Sequence, residues 1–204
     1  MDMTLAYATA AAHLAAAGGY LAWRNRYSIR HALFDIESRM NSRADESGAV
    51  VQALGVAPGS AVADIGSGKG TYSLGLANVV APGGVVYAVD VDPSLLDYVW
   101  VKGRRQGLTN IETVVGRDDD PLLPVRVDLV FMRHSFHHIA DRPSYLRTLK
   151  SYLNPGGSIA IIDFRTSWPP FHRKLRYTAD DLKLWARQAG LRVERELTWE
   201  SGRF

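Results

Sequence analysis

The stretch VADIGSGKG (residues 62–70) carries three glycines at every second position, directly after an apolar run that contains one acid, Asp64. Glycine adopts positive φ and has no Cβ, so a loop of this composition can turn tightly and lets another group approach its main chain. In an open parallel sheet, the first turn from strand to helix is the usual position for a ligand. The stretch therefore predicts a binding loop between a buried strand and a helix.

Downstream of this loop, short β-branched runs alternate with segments of helical periodicity. Strands are predicted at 61–65, 85–89, 111–115, 127–132 and 158–163. Such repetition is typical of a parallel sheet with helices on its faces, so we expect an α/β fold. One more helix is predicted over 178–190, capped by Thr178 or Asp180, with a last strand over 191–197.

The bulk composition is that of one ordinary globular domain, with 204 residues of which 47% are hydrophobic. The absence of cysteine excludes disulfides, thiolate nucleophiles and cysteine-ligated metals, and it suits a cytoplasmic protein. The net charge of +3 arises from 24 basic and 21 acidic residues. This excess is small compared with that of dedicated nucleic-acid binders, so it argues against nucleic acid as a partner.

The N-terminal segment is the part of the chain whose environment is least determined. Residues 4–23 contain no Asp, Glu, Lys or Arg and are long enough to span a bilayer, but nine of these twenty residues are alanine. Two interpretations stay open: a soluble helix broken near Gly18, and a membrane-associated segment. We assign the segment to a helical extension over 1–45, followed by an α/β domain over 46–204.

Spacing distinguishes the ligands that a glycine loop of this kind could bind. A phosphate-binding P-loop needs Gly, four residues and then Gly-Lys-Ser or Gly-Lys-Thr, but Ala63 stands at the first glycine and Gly70 at the hydroxyl position. A dinucleotide fingerprint would need its third glycine at Thr71. The P-loop pattern therefore fails twice and the dinucleotide pattern once.

The remaining pattern, an apolar strand, Asp, one apolar residue and GxGxG, resembles motif I of the class I S-adenosylmethionine-dependent methyltransferases. Further motifs of that family are resembled, in order, by VVYAVDVDPSLL (85–96), VVGRDDDPLLP with VDLVFM (114–132), and YLNPGGSIAIIDF (152–164). The string SFHHIADRPSYLRTLK (135–150) is similar to the methyltransferase type 11 or 25 branch. The resemblance covers about residues 50–199. It implies a Rossmann-like doubly wound sheet whose final strand is short or missing.

The resemblance also implies S-adenosylmethionine as cofactor and suggests which residues contact it. Asp90, at the end of the second strand, would accept hydrogen bonds from both ribose hydroxyls. Asp118 or Asp119 would face the adenine amino group, and Asp64 would hold the loop or the ammonium group of the cofactor. The other residues expected to bind the cofactor are Gly66, Ser67, Gly68, Gly70, Val91 and Arg133.

Three histidines follow the fourth predicted strand, at the edge of the expected methyl-donor pocket: His134, His137 and His138. Histidine titrates near neutrality, so one of them is a candidate to accept a proton from the methyl acceptor. Packing and hydrogen bonding are the alternative role, above all for His138. No metal is expected, because no nearby carboxylate pattern supports a metal site. An aromatic loop at 168–172 is the expected place for acceptor specificity.

The predicted function is transfer of a methyl group from S-adenosylmethionine to a small-molecule or lipid-like acceptor, on O, N or C. A protein or tRNA methyltransferase and a non-catalytic S-adenosylmethionine-binding module are the alternatives. A short or missing final strand would expose a sheet edge, which could pair with a second copy of the chain, so a homodimer is a further hypothesis.

Overall fold

The computed structural model describes residues 44–163 and 176–196. Five parallel strands form one sheet there: β1 (Ala61–Ile65), β2 (Val85–Asp90), β3 (Ile111–Val115), β4 (Val127–Arg133) and β5 (Leu153–Ile162). The helices of these ranges are α1 (Ala44–Ala53), α2 (Thr71–Val80), α3 (Pro93–Arg105), the short 3-10 helix Phe136–His138, α4 (Arg142–Ser151) and α5 (Ala179–Gln188). The predicted α/β fold is confirmed.

The strand order is β3-β2-β1-β4-β5. The chain adds β2 and β3 on one side of β1 and then returns to add β4 and β5 on the other side. Ala61 of β1 therefore lies opposite Val85 of β2, while Val62 lies opposite Leu129 of β4. This reversal opens a crevice at the carboxyl ends of β1 and β4, which is the ligand-binding position of such sheets.

The strands are apolar along most of their length because helices cover both faces of the sheet. Val62 and Phe131 belong to the core under α1, α2 and α3, whereas Ala63 and Met132 belong to the core under α4 and α5. All four side chains are buried. A strand with two covered faces reads as a continuous apolar run, which explains why these strands could be located from composition.

Helix α5 confirms the helix predicted near residue 178, and Thr178 is its N-cap. The Thr178 hydroxyl accepts a hydrogen bond from the N–H of Asp181 at 3.1 Å, and the Asp181 carboxylate accepts one from the N–H of Thr178 at 2.8 Å. This reciprocal pair satisfies two N–H groups that a helix start leaves without intrahelical partners.

The strand predicted over 191–197 is wrong for residues 191–196, which form no strand. Arg192 and Glu194 instead pair with each other on the surface, with 2.7 Å between Nη2 and Oε1. Within the described ranges, β5 therefore has β4 as its sole strand neighbour. The proposed extension over 1–45 lies outside the described residues apart from its last two positions, so its boundary stays a prediction.

Candidate active site

The glycine loop joins β1 to α2 at the reversal of strand order. Gly66, Gly68 and Gly70 have φ of 74°, 53° and 73°, in the left-handed region that favours glycine. A Cβ on Gly66 would overlap Ser135 Cβ, and a Cβ on Gly70 would lie 2.8 Å from Val99 Cγ2. Two of the three glycines are therefore required by contacts within the protein, a reason that the sequence pattern does not reveal.

Asp90, the last residue of β2, holds this loop in place. Its Oδ2 accepts a hydrogen bond from the N–H of Gly68 at 2.9 Å, and its Oδ1 accepts one from the N–H of Asp92 at 3.1 Å. Burial raises the pKa of Asp90, while these N–H donors act in the opposite direction. Each carboxylate oxygen can accept a second hydrogen bond, so Asp90 keeps the capacity to bind hydroxyl groups in the crevice.

Asp64 is buried near the end of β1. Its Oδ2 accepts a hydrogen bond from the hydroxyl of Ser73 on α2 at 2.5 Å. Burial raises the pKa of Asp64 to about 6, and the nearby charge of Asp90 adds to this effect while the Ser73 hydrogen bond opposes it. A cation beside Asp64 would stabilise its ionised form, so this carboxylate suits a positively charged group of a ligand.

Both polar and apolar groups around the loop are available to a ligand. Within the described residues, the Ser67 hydroxyl is buried without a hydrogen-bond partner. Val91, which follows β2, and Val115, the last residue of β3, are each about half exposed. Val115 lies opposite Asp90 in the sheet register, which places an apolar surface beside the carboxylate. Val115 was not among the predicted residues, although the order of the strands would have indicated it.

Asp118 and Asp119 lie on the exposed loop after β3. Asp119 Oδ1 is 3.9 Å from Nε of Arg117, and such an exposed pair contributes little to stability. The next acid, Asp120, accepts a hydrogen bond from the hydroxyl of Tyr152 at 2.9 Å. Asp120 therefore helps to fix this loop, and the adenine contact of Asp118 or Asp119 stays a prediction.

Arg133 ends β4 and is half-buried. Its guanidinium carbon lies 5.0 Å from the ring centroid of Tyr72, in the first turn of α2. A guanidinium group at this distance from an aromatic ring is attracted by it. The contact brings Arg133 next to the helix that the glycine loop enters, and its role in cofactor binding stays a prediction.

The three predicted histidines follow β4 but differ in their surroundings. His134 has a φ of 51° and a side chain that is 20% exposed. His137 is fully buried, whereas His138 is exposed, with ring centroids 4.1 Å apart. The burial that is typical of a packing role is therefore found at His137 rather than at His138.

Asp163, directly after β5, connects two of these histidines. Its Oδ1 lies 2.8 Å from Nδ1 of His137 and 3.8 Å from Nδ1 of His134. Its Oδ2 accepts hydrogen bonds from the N–H of His137 at 3.1 Å and from the hydroxyl of Tyr177 at 3.0 Å. Asp163 was not predicted as a site residue, because it stands in an apolar strand motif. The strand order would have found it, since the carboxyl ends of the parallel neighbours β4 and β5 lie side by side.

Arg142, at the start of α4, contacts both His137 and Tyr177 of the cluster around Asp163. It was also not predicted. Its Nη2 donates a hydrogen bond to the carbonyl oxygen of His137 at 2.8 Å. Its guanidinium carbon lies 5.1 Å from the ring of Tyr177 and 5.2 Å from the ring of Trp185. Through these contacts, Arg142 connects Tyr177 and helix α5 to the turn that follows β4.

Ser135 connects the histidines to the glycine loop. Its hydroxyl donates a hydrogen bond to the carbonyl oxygen of Ile65 at 2.8 Å, and its Cβ occupies the space that a side chain on Gly66 would need. Because Ser135 lies between His134 and His137 in the chain, the glycine loop and the histidine turn (134–138) form one wall of the crevice.

The described residues contain no group of three or more His, Asp or Glu side chains arranged to bind a metal ion. Across 44–163 and 176–196, no helix combines the length and apolar character needed to span a membrane. The segment 4–23 and the aromatic loop 168–172 lie outside these ranges.

Comparison with known proteins identifies the kind of domain that carries this crevice. The chain matches the methyltransferase domain family over residues 63–161. A crystal structure of a SAM-dependent methyltransferase from Aquifex aeolicus is 31% identical, with a TM-score of 0.65 over 73% of this chain and 81% of that chain.

Two curated relatives are also similar to this chain. A protein-L-isoaspartate O-methyltransferase of Aeropyrum pernix is 34% identical over 114 residues, which are 56% of this chain and 42% of the relative. A ubiquinone/menaquinone biosynthesis C-methyltransferase UbiE of Shewanella frigidimarina is 24% identical over 132 residues, 64% of this chain and 51% of the relative. This chain thus spans about half the length of these curated relatives.

The matched region contains the glycine loop, Asp90 and the histidine turn. The Aquifex structure agrees with this chain in fold and over most of its own length. The chain belongs to the class I S-adenosylmethionine-dependent methyltransferases, and S-adenosylmethionine is the cofactor of this family.

Proposed function

We propose that this protein transfers a methyl group from S-adenosylmethionine to a small-molecule or lipid-like acceptor. The observation that supports this most directly is the continuous wall formed by the glycine loop and the histidine turn, joined where Ser135 meets Gly66. Methyl transfer is an in-line displacement, which requires the donor carbon and the acceptor nucleophile to be held next to each other. A cofactor loop that adjoins proton-accepting side chains serves this requirement.

The residues of the loop fit the cofactor. Asp90 retains acceptor capacity for ribose hydroxyls, and the buried Ser67 hydroxyl has no protein partner among the described residues. Asp64 suits the ammonium group, because burial raises its pKa and a nearby cation would offset this. Val91 and Val115 offer an apolar surface for the adenine ring. When bound, the cofactor supplies an electrophilic methyl group on a positively charged sulfur.

The histidine turn would remove the proton of an acceptor that reacts through O–H or N–H. Asp163 accepts a hydrogen bond from Nδ1 of His137 when that nitrogen carries the proton, and neutral His137 then keeps Nε2 as its basic atom. His134 is more accessible, since its side chain is partly exposed while that of His137 is buried. We therefore place His134 at the acceptor, because it is partly exposed and its Nδ1 also lies 3.8 Å from Asp163 Oδ1, with His137 and Asp163 as its support and the exposed His138 as the remaining candidate.

The acceptor class follows less directly. The UbiE relative carries a name that refers to ubiquinone and menaquinone biosynthesis, which favours a small or lipid-like acceptor. The isoaspartate relative is named as a protein O-methyltransferase and has the higher identity over its aligned residues, so protein is the second candidate acceptor. The modest net charge of +3 still argues against tRNA.

Isotope transfer from the cofactor tests this proposal. The purified full chain is incubated with trideuteromethyl-labelled S-adenosylmethionine in an extract of its own cells, and small molecules, lipids and proteins are then analysed separately by mass spectrometry. We expect label in the small-molecule or lipid fraction, and none with Asp90→Asn, which weakens cofactor binding. The exposed acid Asp97, changed to Asn, is the matched control and should leave transfer intact.

The other outcomes contradict specific parts of the proposal. Label found in protein alone would favour the second candidate. Cofactor binding measured by calorimetry, without a labelled product in any fraction, would instead indicate a binding module that performs no transfer.

A further inference from the structure

Helix α3 presents an outward face that combines aromatic rings with basic side chains. Tyr98 is 48% exposed and Trp100 is 49% exposed, and every other Phe, Tyr or Trp side chain in the described ranges is more buried. The orientation of the helix is fixed by its opposite side, where Val99 is buried and a Cβ on Gly103 would lie 3.2 Å from Ile111 Cδ1. The rings are therefore held at the surface by the close packing of α3 against the sheet.

Basic groups accompany the rings on this helix. Nζ of Lys102 lies 5.7 Å from the ring centroid of Tyr98, and Cζ of Arg104 lies 5.4 Å from that of Trp100. Among the residues of α3, Asp97 is the one acid. The aromatic–basic face is defined by Tyr98, Trp100, Val101, Lys102, Arg104 and Arg105, and the exposed Asp97 lies among them.

We propose that the aromatic–basic face docks on an anionic phospholipid surface. Indole and phenol rings prefer the headgroup layer of a bilayer, where their apolar part is covered and their polar atom stays hydrated. Each basic residue near an anionic bilayer strengthens binding about fivefold. The three cations of the face outnumber its one acid, Asp97, and so complement the phosphates of such a surface, and the exposed Val101 adds apolar area beside the rings.

Nucleic acid matches this face less well. Val101 offers nothing to a phosphate backbone, and three cations accompanied by Asp97 are few for a binder that relies on phosphate contacts. The docking proposal is independent of the proposed function, because vesicle binding is measured without cofactor or acceptor.

Vesicle co-sedimentation of the full chain tests whether the basic residues of the face contribute to binding. We expect binding to phosphatidylcholine vesicles that contain phosphatidylglycerol and weak binding to pure phosphatidylcholine. Changing Arg104→Glu together with Arg105→Glu should lower the partition coefficient by roughly thirtyfold or more. The matched control changes Arg187→Glu, in the last turn of α5, with Arg192→Glu, which alters the net charge equally and should leave binding within about twofold.

A second pair of variants tests the rings. Tyr98→Ser with Trp100→Ser should weaken vesicle binding about tenfold or more, because two interfacial rings are removed. The control changes Leu184→Ser with Val193→Ser, which removes two similarly exposed apolar side chains elsewhere. In a Trp23→Phe protein, which removes the tryptophan of segment 4–23, brominated phosphatidylcholine mixed into the anionic vesicles should quench tryptophan fluorescence, and adding Trp100→Phe should remove most of this quenching.

The proposal is overturned if the variants on α3 bind like their controls, if neutral and anionic vesicles are bound equally, or if RNA oligomers displace the protein from vesicles through the same residues. Should a double variant lose its native circular dichroism, the quenching experiment decides alone. Quenching that survives Trp100→Phe unchanged would also overturn the proposal.

Discussion

Replacing Gly66 with alanine tests whether the packing of the protein shapes the glycine loop before any ligand binds. The φ of 74° at Gly66 costs an ordinary L-residue about 1–2 kcal/mol. The added Cβ would overlap Ser135 Cβ and lie 2.9 Å from Ser135 Oγ, and relief of such overpacking typically costs about 1–3 kcal/mol. We therefore expect Gly66→Ala to lower the free energy of unfolding of the ligand-free protein by about 2–5 kcal/mol.

Two companion variants separate these contributions. Gly107 has a φ of 75° and its added Cβ would meet nothing within 4 Å, so Gly107→Ala reports the backbone contribution alone. Ser135→Gly in the Gly66→Ala background removes the overlapping atoms, together with a hydrogen bond to Ile65 that contributes about 1 kcal/mol. Urea unfolding followed by circular dichroism gives each free energy, and the double-mutant cycle should show a coupling of about 1–3 kcal/mol.

A Gly66→Ala protein that is as stable as Gly107→Ala would refute the inference that overlap with Ser135 destabilises the Gly66→Ala protein. So would a double-mutant cycle without coupling. If Gly66→Ala loses cofactor affinity in calorimetry while its stability is unchanged, the approach of the ligand, and not the turn after β4, is what requires a glycine at this position.

Four further predictions concern single side chains. Asp90→Asn should weaken cofactor binding in calorimetry by about a hundredfold, because charge-assisted hydrogen bonds are lost, with Asp97→Asn as the unaffected control. The pKa of Asp64 is raised from 3.8 to about 6 in the folded protein, so its contribution to stability is present below pH 3.8 and is lost as the pH rises through 6. Relative to Asp64→Asn, the unaltered protein should therefore lose about 3 kcal/mol of unfolding free energy between about pH 3.5 and about pH 7, and parallel pH profiles would contradict this. His134→Asn should reduce kcat with an O–H or N–H acceptor by about a hundredfold and leave the cofactor Kd unchanged, whereas unchanged turnover would exclude His134 as the base. Arg142→Met should lower stability by about 1–3 kcal/mol through loss of the hydrogen bond to His137, seen as a lower Tm.

The strands and the position of the crevice could be predicted because they depend on local composition. The run VVYAV followed by Asp90 reads as a buried strand that ends in a carboxylate, and the structure has β2 ending at that residue. Once a parallel sheet is inferred, the general rule for its switch point places the glycine loop and this carboxylate at the same edge. Local pattern and topology together therefore suffice to bring the glycine loop and Asp90 to the same edge of the sheet, where they are in contact.

Contacts between distant parts of the chain could not be predicted in this way. The pairing of His137 with Asp163 joins residues that only the adjacency of β4 and β5 brings together. The alternation of apolar and charged residues over 191–197 matched a strand, but a strand also requires a neighbour that offers its backbone. In the structure, the N–H of Leu191 instead donates to the carbonyl oxygen of Ala186 at 2.8 Å, at the end of α5.

The close contact between Ser135 and Gly66 has a consequence for ligand binding. If an incoming acceptor moved the histidine turn, Ser135 would transmit this movement to the glycine loop, which we propose to bind the cofactor, and the two binding equilibria would then be linked. Linkage is reciprocal: the factor by which the cofactor tightens acceptor binding equals the factor by which the acceptor tightens cofactor binding. The hydroxymethyl group of Ser135 would carry this coupling, because it lies between the histidine turn and the glycine loop.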